Sequence, residues 1–311
     1  MIKCEDKNMR APHKVSSINA LYQFLGLKKP SNPLISVFNF DDVKLEPETI
    51  LSTIMTDFYV VALKKDCAGG KCKYGQQYYD FDEGIMYFIA PHQVLQFEDV
   101  LLNGVKGFVL VVHPDFLQGY SLASQIKDYG YFSYKSNEAL HASEKEEKSI
   151  MDIIENIHNE IDTNMDGFTQ DLLVSNIDLL LKYCDRFYNR QFLTRKKVNN
   201  DLLTKLEALL DDYFRNDKLL ETGVPSVQFV ANELHLSPNY LSDMLRVQTG
   251  QTTQQHIQDR VIEKAKELLS TTSMSVSEIA YYLGFEYPQS FHRLFKNRTS
   301  NSPLAFRASF N

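Results

Sequence analysis

Few side chains in this 311-residue sequence have the spacing that enzyme chemistry requires. A catalytic metal site needs about three clustered His or carboxylate ligands, whereas His92 and His113 stand alone. No Gly-x-Ser-x-Gly motif or phosphate-binding glycine loop occurs. The pair in "CAGGKC" has no second pair to complete a zinc site, and the scattered cysteines predict reduced thiols: Cys4, Cys67, Cys72 and Cys184. The sequence therefore predicts no metal, no cofactor and no enzyme.

A different kind of chemistry is indicated by a pattern that occurs twice, as "LHLSPNYLSDMLRVQTG" (234–250) and "LGFEYPQSFHRLFKNRTS" (283–300). Each copy predicts a short helix, a tight turn and a second helix, which is a helix-turn-helix. The second helix of such a motif can place its N-terminal side chains against base edges in a major groove. Matching positions, with one extra residue in the second turn, are Ala231 with Ala280, Leu234 with Leu283, Leu236 with Phe285, Leu241 with Phe291, Leu245 with Phe295, and Arg246 with Lys296.

Helix signals surround both copies. Ser237 followed by Pro238 predicts a capped helix start, and Ser275 with Glu278 predicts a capping box. A helix over about 253–269 joins the copies and would span about 25 Å. That length is compatible with two recognition helices in successive major grooves, roughly 34 Å apart. The large apolar residues of the copies are predicted to be core: Leu234, Leu241, Leu245, Leu283, Phe291 and Phe295.

Composition and charge divide the chain. At 43% hydrophobic and 23% charged residues, it is typical of a soluble protein with room for two domains. It has no apolar run long enough for a membrane span and no signal-peptide core, which predicts a cytoplasmic protein. Residues 1–194 hold 19 Lys and Arg against 27 Asp and Glu, whereas residues 195–311 hold 14 against 13. The second part is close to neutral, so its sequence-independent attraction to phosphate should be modest.

The first 135 residues favour short strands, such as "FYVVALKK", "GIMYFIAP" and "GFVLVVHP", separated by turn signals. From Ser143 the pattern becomes helical, with Glu146 completing a capping box and one stripe of isoleucines: Ile150, Ile153, Ile154, Ile157 and Ile161. A second amphipathic segment, about 169–190, carries Leu172, Leu173, Ile177, Leu180, Leu181, Cys184 and Phe187. These helices could complete the first domain, pack on each other or contact a partner subunit. "TRKKVNND" (194–201) is the best candidate for a linker, and helix is expected from Leu202 onwards.

Residues 200–308 resemble the DNA-binding domain of the AraC/XylS family of transcription regulators. The residues that carry the resemblance are "LSPNYLSDMLRVQTGQT", "QDRVIEKAKELLSTTSMSVSEIAYYLGF" and "FHRLFKNRTSNSPLAFR". The resemblance implies double-stranded DNA as the partner, a regulator that is an activator, and contact with RNA polymerase. It covers about a third of the chain, and two joined motifs are far more specific than one.

The resemblance also implies which residues face DNA. The base-facing positions of the first motif correspond to Asn239, Ser242 and Asp243, and those of the second to Gln289, Ser290, His292 and Arg293. Arg suits guanine and Gln suits adenine, so the second set is the better reader. Phosphate contacts are expected for Arg246, Lys296 and Arg298.

Two positions depart from the family pattern. Asp243 stands where many relatives have Arg; its carboxylate can accept from cytosine but is repelled by phosphate. Ser300 replaces the glycine that usually ends the second recognition helix, so either a left-handed cap there costs more or the helix ends differently.

Members of this family commonly place a cupin-like β-barrel that binds an effector before the DNA-binding part. We therefore expect an α+β chain with a cupin-like regulatory domain (1–142), a helical linker or dimerisation region (143–194) and an AraC-type domain with two helix-turn-helix motifs (195–311). A small-molecule effector and a homodimer formed through the isoleucine stripe are further predictions. Part of one aromatic set should point into the barrel: Phe38, Phe58, Tyr78, Phe81, Tyr87, Phe88 and Phe97. The alternative is a cupin-type sugar-modifying enzyme, or a ligand-binding module, whose helical tail mediates interactions.

Overall fold

The computed structural model describes residues 12–44, 53–65, 71–74, 77–80, 84–96, 106–135, 138–163, 166–215, 219 and 222–310. The chain divides into two compact units, Met1–Gln191 and Phe192–Asn311. All but the last three residues of the predicted helical region 143–194 belong to the first unit. Across the described segments, we find no helix with the length and apolarity needed to cross a membrane.

The first unit combines sheet and helix. Its described strands are β1 (His13–Val15), β2 (Ile35–Asn39), β3 (Thr53–Thr56), β4 (Tyr59–Lys65), β5 (Lys71–Tyr74), β6 (Gln77–Asp80), β7 (Gly84–Ile89), β8 (Val94–Gln96), β9 (Lys106–Val112) and β10 (Leu140–Ala142). The main sheet is antiparallel, in the order β10-β7-β4-β9-β2. A smaller sheet has the order β1-β3-β8, and β5 pairs with β6. The predicted mixture of strands and helices is thus confirmed.

One face of the main sheet is covered by the smaller sheet and by α1 (Ile18–Phe24). Strand β4 is buried over five successive residues, as expected for a strand covered on both faces. The core on this face includes Phe38 and Phe58, with Tyr87 partly buried against it. Phe88 packs instead against Tyr131 and Tyr188, since neighbouring residues of a strand point to opposite faces. Of the other predicted barrel aromatics, Phe81, Phe97 and the Tyr78 side chain lie outside the described residues.

Two long helices follow, α3 (Glu144–Asp162) and α4 (Thr169–Thr194), after the short helix α2 (Leu122–Gln125). All five isoleucines of the predicted stripe are buried, and α3 contacts β2 and β10. The stripe belongs to the core of its own unit, so it does not support the homodimer predicted from it. On α4 the predicted apolar positions are also buried, apart from Leu172, which is 49% exposed. Complete burial raises the pKa of the Cys184 thiol, which lies 4.0 Å from the Met86 sulfur.

The predicted linker is helical. After α4 ends at Thr194, α5 (Lys196–Arg215) begins two residues later and includes most of "TRKKVNND". The Asn199 side chain is buried and donates a hydrogen bond to the Phe192 carbonyl at 2.6 Å. This hydrogen bond ties the first turns of α5 to the end of α4.

The second unit is all helical over its described residues. Its further helices are α6 (Val227–Glu233), α7 (Pro238–Thr249), α8 (Thr253–Thr271), α9 (Val276–Tyr282), α10 (Pro288–Thr299) and α11 (Pro303–Ala308). The pairs α6–α7 and α9–α10 are the two predicted helix-turn-helix motifs, called here the first and second motif. Their recognition helices are α7 and α10.

Candidate DNA-binding surface

The first motif is set by its capping residues. The Ser226 hydroxyl accepts from the Phe229 N–H at 3.1 Å at the start of α6, and Ser237 accepts from the Tyr240 N–H at 3.2 Å at the start of α7. The predicted serine and proline start of α7 is therefore confirmed. The turn between the helices passes through His235, which has a positive φ of 59°.

The second motif repeats this geometry with different residues. Ser275 and Glu278 form the predicted capping box, with N–H···O distances of 2.6 and 3.2 Å. The hydrogen bonds from the Ser275 N–H and hydroxyl lower the pKa of the Glu278 carboxyl. Here the left-handed turn residue is Gly284, with φ of 83°.

Backbone hydrogen bonds show that the two copies correspond as aligned. Leu236 donates to the Ala231 carbonyl at 2.9 Å, and Phe285 donates to the Ala280 carbonyl at 3.0 Å. The predicted core residues are fully buried, except for one: Leu241, Leu245, Leu283, Phe291 and Phe295 have no exposed surface. Leu234 was expected to be core as well, but it is only half-buried, at the C-cap of α6.

A close backbone contact joins the turn of the second motif to the segment that precedes the first. A Cβ atom on Gly284 would lie 2.4 Å from the Gly223 Cα and 3.0 Å from the Val224 nitrogen. No residue with a side chain fits that space, and the positive φ of Gly284 also favours glycine. The turn of the second motif is thereby fixed against the segment that precedes the first.

Helix α8 connects the motifs and forms the centre of the domain. It starts with a capping box of Thr252 and Gln255 and has 19 residues, hence a length of about 28 Å. Its buried side is apolar: Ile257, Val261, Ile262, Ala265, Leu268 and Leu269. Both recognition helices contact α8, so it holds them in a fixed arrangement.

The polar face of α10 is open to solvent. The predicted reading residues of the second motif are all exposed, and so is the predicted phosphate contact Lys296; the reading residues are Gln289, Ser290, His292 and Arg293. Within the described part of the chain, neither Arg293 nor Lys296 has an acidic side chain at ion-pair distance. Both cations are therefore available to an external anion or acceptor.

Some polar side chains of α7 already have hydrogen-bond or ion-pair partners within the domain. Asn239 is exposed, but the Ser242 hydroxyl lies 3.0 Å from the Thr253 hydroxyl of α8. Asp243 and Arg246 form an ion pair with an N···O distance of 2.6 Å. The structure thus brings the predicted residues together on one helix, with the charge of Arg246 neutralised.

Arg298 differs from the other predicted phosphate contacts. Its guanidinium donates to the Gln258 side chain at 3.1 Å and lies 3.4 Å from an Asp259 carboxylate oxygen. The side chain is only 25% exposed. Arg298 therefore ties the end of α10 to α8 and positions the recognition helix.

A groove beside α10 includes residues that sequence reasoning missed. It has a volume of about 590 Å³, and its lining includes Ser290 and Arg293 together with Gln258 and Asn297. Asn297 is exposed one turn after Arg293, so helical spacing could have revealed it. Gln258 comes from the joining helix, and no local pattern places it beside the recognition helix.

The two recognition helices end in the same way. Gly250 caps α7 with φ of 76°, and its N–H donates to the Arg246 carbonyl at 3.0 Å. Ser300 caps α10 with φ of 61°, and its N–H donates to the Lys296 carbonyl at 2.9 Å. The left-handed cap forms although the glycine is absent, so Ser300 carries the strain of that conformation.

Comparison with known proteins places this geometry in context. A model of the helix-turn-helix domain family matches residues 230–309. The transcriptional activator RhaS of Salmonella dublin is 27% identical over 256 residues, 81% of this chain and 85% of that protein. The arabinose operon regulatory protein of Salmonella typhimurium is 40% identical over 122 residues, 38% of this chain and 43% of that protein. The solved DNA-binding domain of AdpA, in complex with a target DNA, is 25% identical with a TM-score of 0.30, over 34% of this chain and 91% of that one.

The family model covers the second motif, the helix between the motifs and all but the first three residues of the first motif. The arabinose operon regulatory protein matches only part of its own length, so it supports the assignment of a domain. The chain therefore carries, at its C-terminal end, a helix-turn-helix DNA-binding domain of the AraC type.

Proposed function

We propose that this protein is a sequence-specific transcription regulator that reads two successive major grooves of double-stranded DNA. The single observation that supports it most is the pair of motifs on one joining helix, with the polar face of α10 exposed. Arg293 and Gln289 can each form two hydrogen bonds to one base, and Lys296 can contact phosphate. Arg246 contacts phosphate once the ion pair with Asp243 opens, and Arg298 acts by positioning α10.

Selection of bound DNA from a random library by the full-length protein tests this proposal. We expect two enriched sequence blocks separated by about one helical turn, about 10 base pairs centre to centre. The variant Lys148→Ala removes one exposed positive charge from the first unit and should select the same sequence. If no sequence were enriched, the proposal would be rejected.

Activation is proposed from the relative RhaS, which is named a transcriptional activator. An activator that acts at a promoter contacts RNA polymerase, and we propose that enzyme as the second partner. Transcription in vitro from a promoter that carries the selected site should rise when the protein is added. A fall would make the protein a repressor.

The first unit is proposed to be the cupin-like regulatory domain, responsive to a small molecule. A five-stranded antiparallel sheet and a second small sheet that enclose an apolar core support this assignment. An effector would act by binding one arrangement of the protein more tightly than another. Because DNA is the partner, we also propose that the protein works in the cytoplasm.

The alternative function, a cupin-type enzyme, needs a metal site in the first unit. No group of three or more His, Cys, Asp or Glu side chains that could hold a metal ion occurs among the described residues. His92 lies 3.1 Å from Asp57, and His113 lies 3.5 Å from Asp115. Metal analysis of the purified protein separates the two functions, since metal without DNA binding would favour the enzyme.

A homodimer remains a prediction that needs a surface other than the buried isoleucine stripe. Analytical ultracentrifugation at tens of micromolar decides it. Sedimentation as a monomer at that concentration would rule out the homodimer.

A further inference from the structure

The last turn of α4 carries a contact to the first recognition helix. Helix α4 runs from Thr169 to Thr194, and its last three residues belong to the second unit. The Phe192 ring is 2% exposed and meets the Tyr240 ring of α7 edge to face, with centroids 5.2 Å apart. An edge-to-face aromatic pair stabilises a contact beyond the area that it buries. Phe192 is therefore a packed component of the DNA-binding unit.

The backbone of Phe192 is tied to the same recognition helix. Its carbonyl is among the last four of α4, which have no N–H partner four residues later in that helix. It accepts a hydrogen bond from the Asn199 side chain at 2.6 Å and one from the Gln248 side chain of α7 at 3.4 Å. Tyr240 and Gln248 lie about 12 Å apart along α7. One residue of α4 thus contacts α7 near both of its ends.

The contact lies where it can set the direction of the reading side chains. Tyr240 directly follows Asn239, and successive residues of a helix are turned by about 100°. Tyr240 is buried and Asn239 is exposed. Rotation or tilt of α7 would redirect the side chains of Asn239 and Asp243 together. Because Phe192 holds α7 at two points, it opposes that motion.

The second motif leaves the equivalent side of its recognition helix open. In the first motif Tyr240 and Met244 are buried, whereas the matching residues of α10 are exposed or partly exposed. Those matching residues line the groove of about 590 Å³ beside α10. The residues that match Tyr240, Met244 and Gln248 are Ser290, Leu294 and Arg298. The side that Phe192 contacts in α7 therefore faces an open groove in α10.

We infer that Phe192 is a positioning residue for α7, so that base reading by the first motif, unlike that by the second, depends on the end of α4. The effect on base reading rests on the proposed function, whereas the positioning of α7 does not. Helix α4 begins in the first unit and ends in the second. A change at its end therefore reaches α7, which gives the first unit a route to one motif alone.

Amide hydrogen exchange of the free full-length protein tests the positioning. In Phe192→Ala we expect the amides of α7 to exchange at least about tenfold faster and those of α10 to be unchanged, because the Tyr240 contact lies on α7. Phe306→Ala is the matched control: its ring meets Phe295 of α10 at 5.5 Å, so it should speed exchange in α10. Leu193→Ala removes a 54% exposed side chain at the same helix end and should change neither helix. Equal acceleration of α7 and α10 in Phe192→Ala, or none, would overturn the inference.

Selection of DNA by the variants tests the effect on base reading. Phe192→Ala should lower the base preference in the block that Asn239→Ala also affects, by about fivefold or more, as for the loss of one base contact. The block that Arg293→Ala affects should keep its preference. If Phe192→Ala does not fold, Phe192→Leu replaces it, since leucine keeps most of the buried apolar surface and lacks the ring. Equal weakening of both blocks, or an unchanged preference in the first motif's block, would contradict the inference.

The two assays separate the inference from the proposed function. A wild-type protein that selects no DNA, with α7 alone loosened by Phe192→Ala, would lose the regulator and keep the positioning contact. A wild-type protein that selects two blocks, with neither α7 exchange nor base preference changed by Phe192→Ala, would lose only the inference.

Discussion

The two helix-turn-helix motifs share a backbone but differ in how their polar faces are used. On α10, Arg293 and Lys296 are exposed, and no acidic residue occurs along the helix. On α7, Arg246 is held by Asp243, and Ser242 is engaged by Thr253. The second motif is therefore equipped to supply affinity for DNA. The first is electrically balanced and is expected to contribute discrimination more than attraction.

The two motifs also have their glycine at different positions, one at the end of the recognition helix and the other in the turn. The first has His235 in the turn and Gly250 at the helix end, whereas the second has Gly284 in the turn and Ser300 at the helix end. Of these two glycines, Gly284 faces another backbone, that of Gly223, whereas a Cβ on Gly250 would meet nothing within 4 Å. Equivalent positions of a repeat thus carry different constraints, because one copy packs against the chain and the other faces solvent.

The largest expected effect is on stability, from Gly284→Ala. The added methyl group would meet the Gly223 backbone at 2.4 Å, and we expect a loss of at least about 3 kcal/mol in the free energy of unfolding. Denaturant unfolding of the full-length protein measures it. Gly250→Ala is the matched control: its φ is similar and its methyl group would meet nothing within 4 Å, so it should cost about 1 kcal/mol. Equal losses in the two variants would show that the backbone contact is unimportant.

Arg293→Ala should cause the largest loss of DNA affinity. Removal of a bidentate contact to guanine costs about 1 to 3 kcal/mol, and the preference should relax at one base position. Asn239→Ala, which removes an exposed base-facing side chain of the first motif, should cost less, because α7 supplies little net attraction. Titration of both variants on the selected site decides the order, and a larger loss for Asn239→Ala would reverse the roles of the motifs.

Asp243→Asn should have a smaller effect of opposite sign on binding. Release of Arg246 adds one phosphate contact, so affinity for non-specific DNA should rise and the salt dependence should steepen by about one unit. Glu263→Gln on α8 removes the same charge but leaves Arg260 paired with Asp211, so it serves as the control in which no cation is released. If the variant instead bound the selected site more weakly and lost its base preference at one position, Asp243 would be shown to contact a base directly.

The smallest expected effect is a gain in stability from Ser300→Gly. Relief of the left-handed strain is partly offset by the greater freedom of glycine in the unfolded chain, which leaves a gain of about 0.5 kcal/mol. The reciprocal variant, Gly250→Ser, should lose a similar amount. Thermal unfolding of both would detect opposite shifts, and shifts of the same sign would contradict the strain assigned to Ser300.

Local signals predicted the second unit well. The spacing of Leu241 and Leu245, and of Phe291 and Phe295, identified both motifs because a helical period directly reports a buried face. The capping boxes were equally clear, because each is a fixed spacing of three residues in the sequence. The helical start of α5 was missed because the segment has no apolar period, and periodicity does not record the hydrogen bond from the Asn199 side chain to the Phe192 carbonyl seven residues earlier.

Features that depend on residues far apart in the chain could not be predicted. The isoleucine stripe was recognised as a buried face, but the sequence left three partners open, of which the structure shows the first unit's own sheet. The Gly223–Gly284 contact and the Phe192–Tyr240 contact bring together segments that have no pattern in common. The i,i+3 spacing of Asp243 and Arg246 was visible, yet whether they pair with each other or with DNA is decided by geometry.

Hydroxyl-radical footprinting of the full-length protein on its selected site most directly tests the claim that both motifs read DNA. The account predicts two protected segments on one face of the duplex, about one helical turn apart. Arg293→Ala should weaken protection of one segment and Asn239→Ala that of the other. A single protected segment, weakened by Arg293→Ala and unaffected by Asn239→Ala, would contradict the account and leave α10 as the only reading helix.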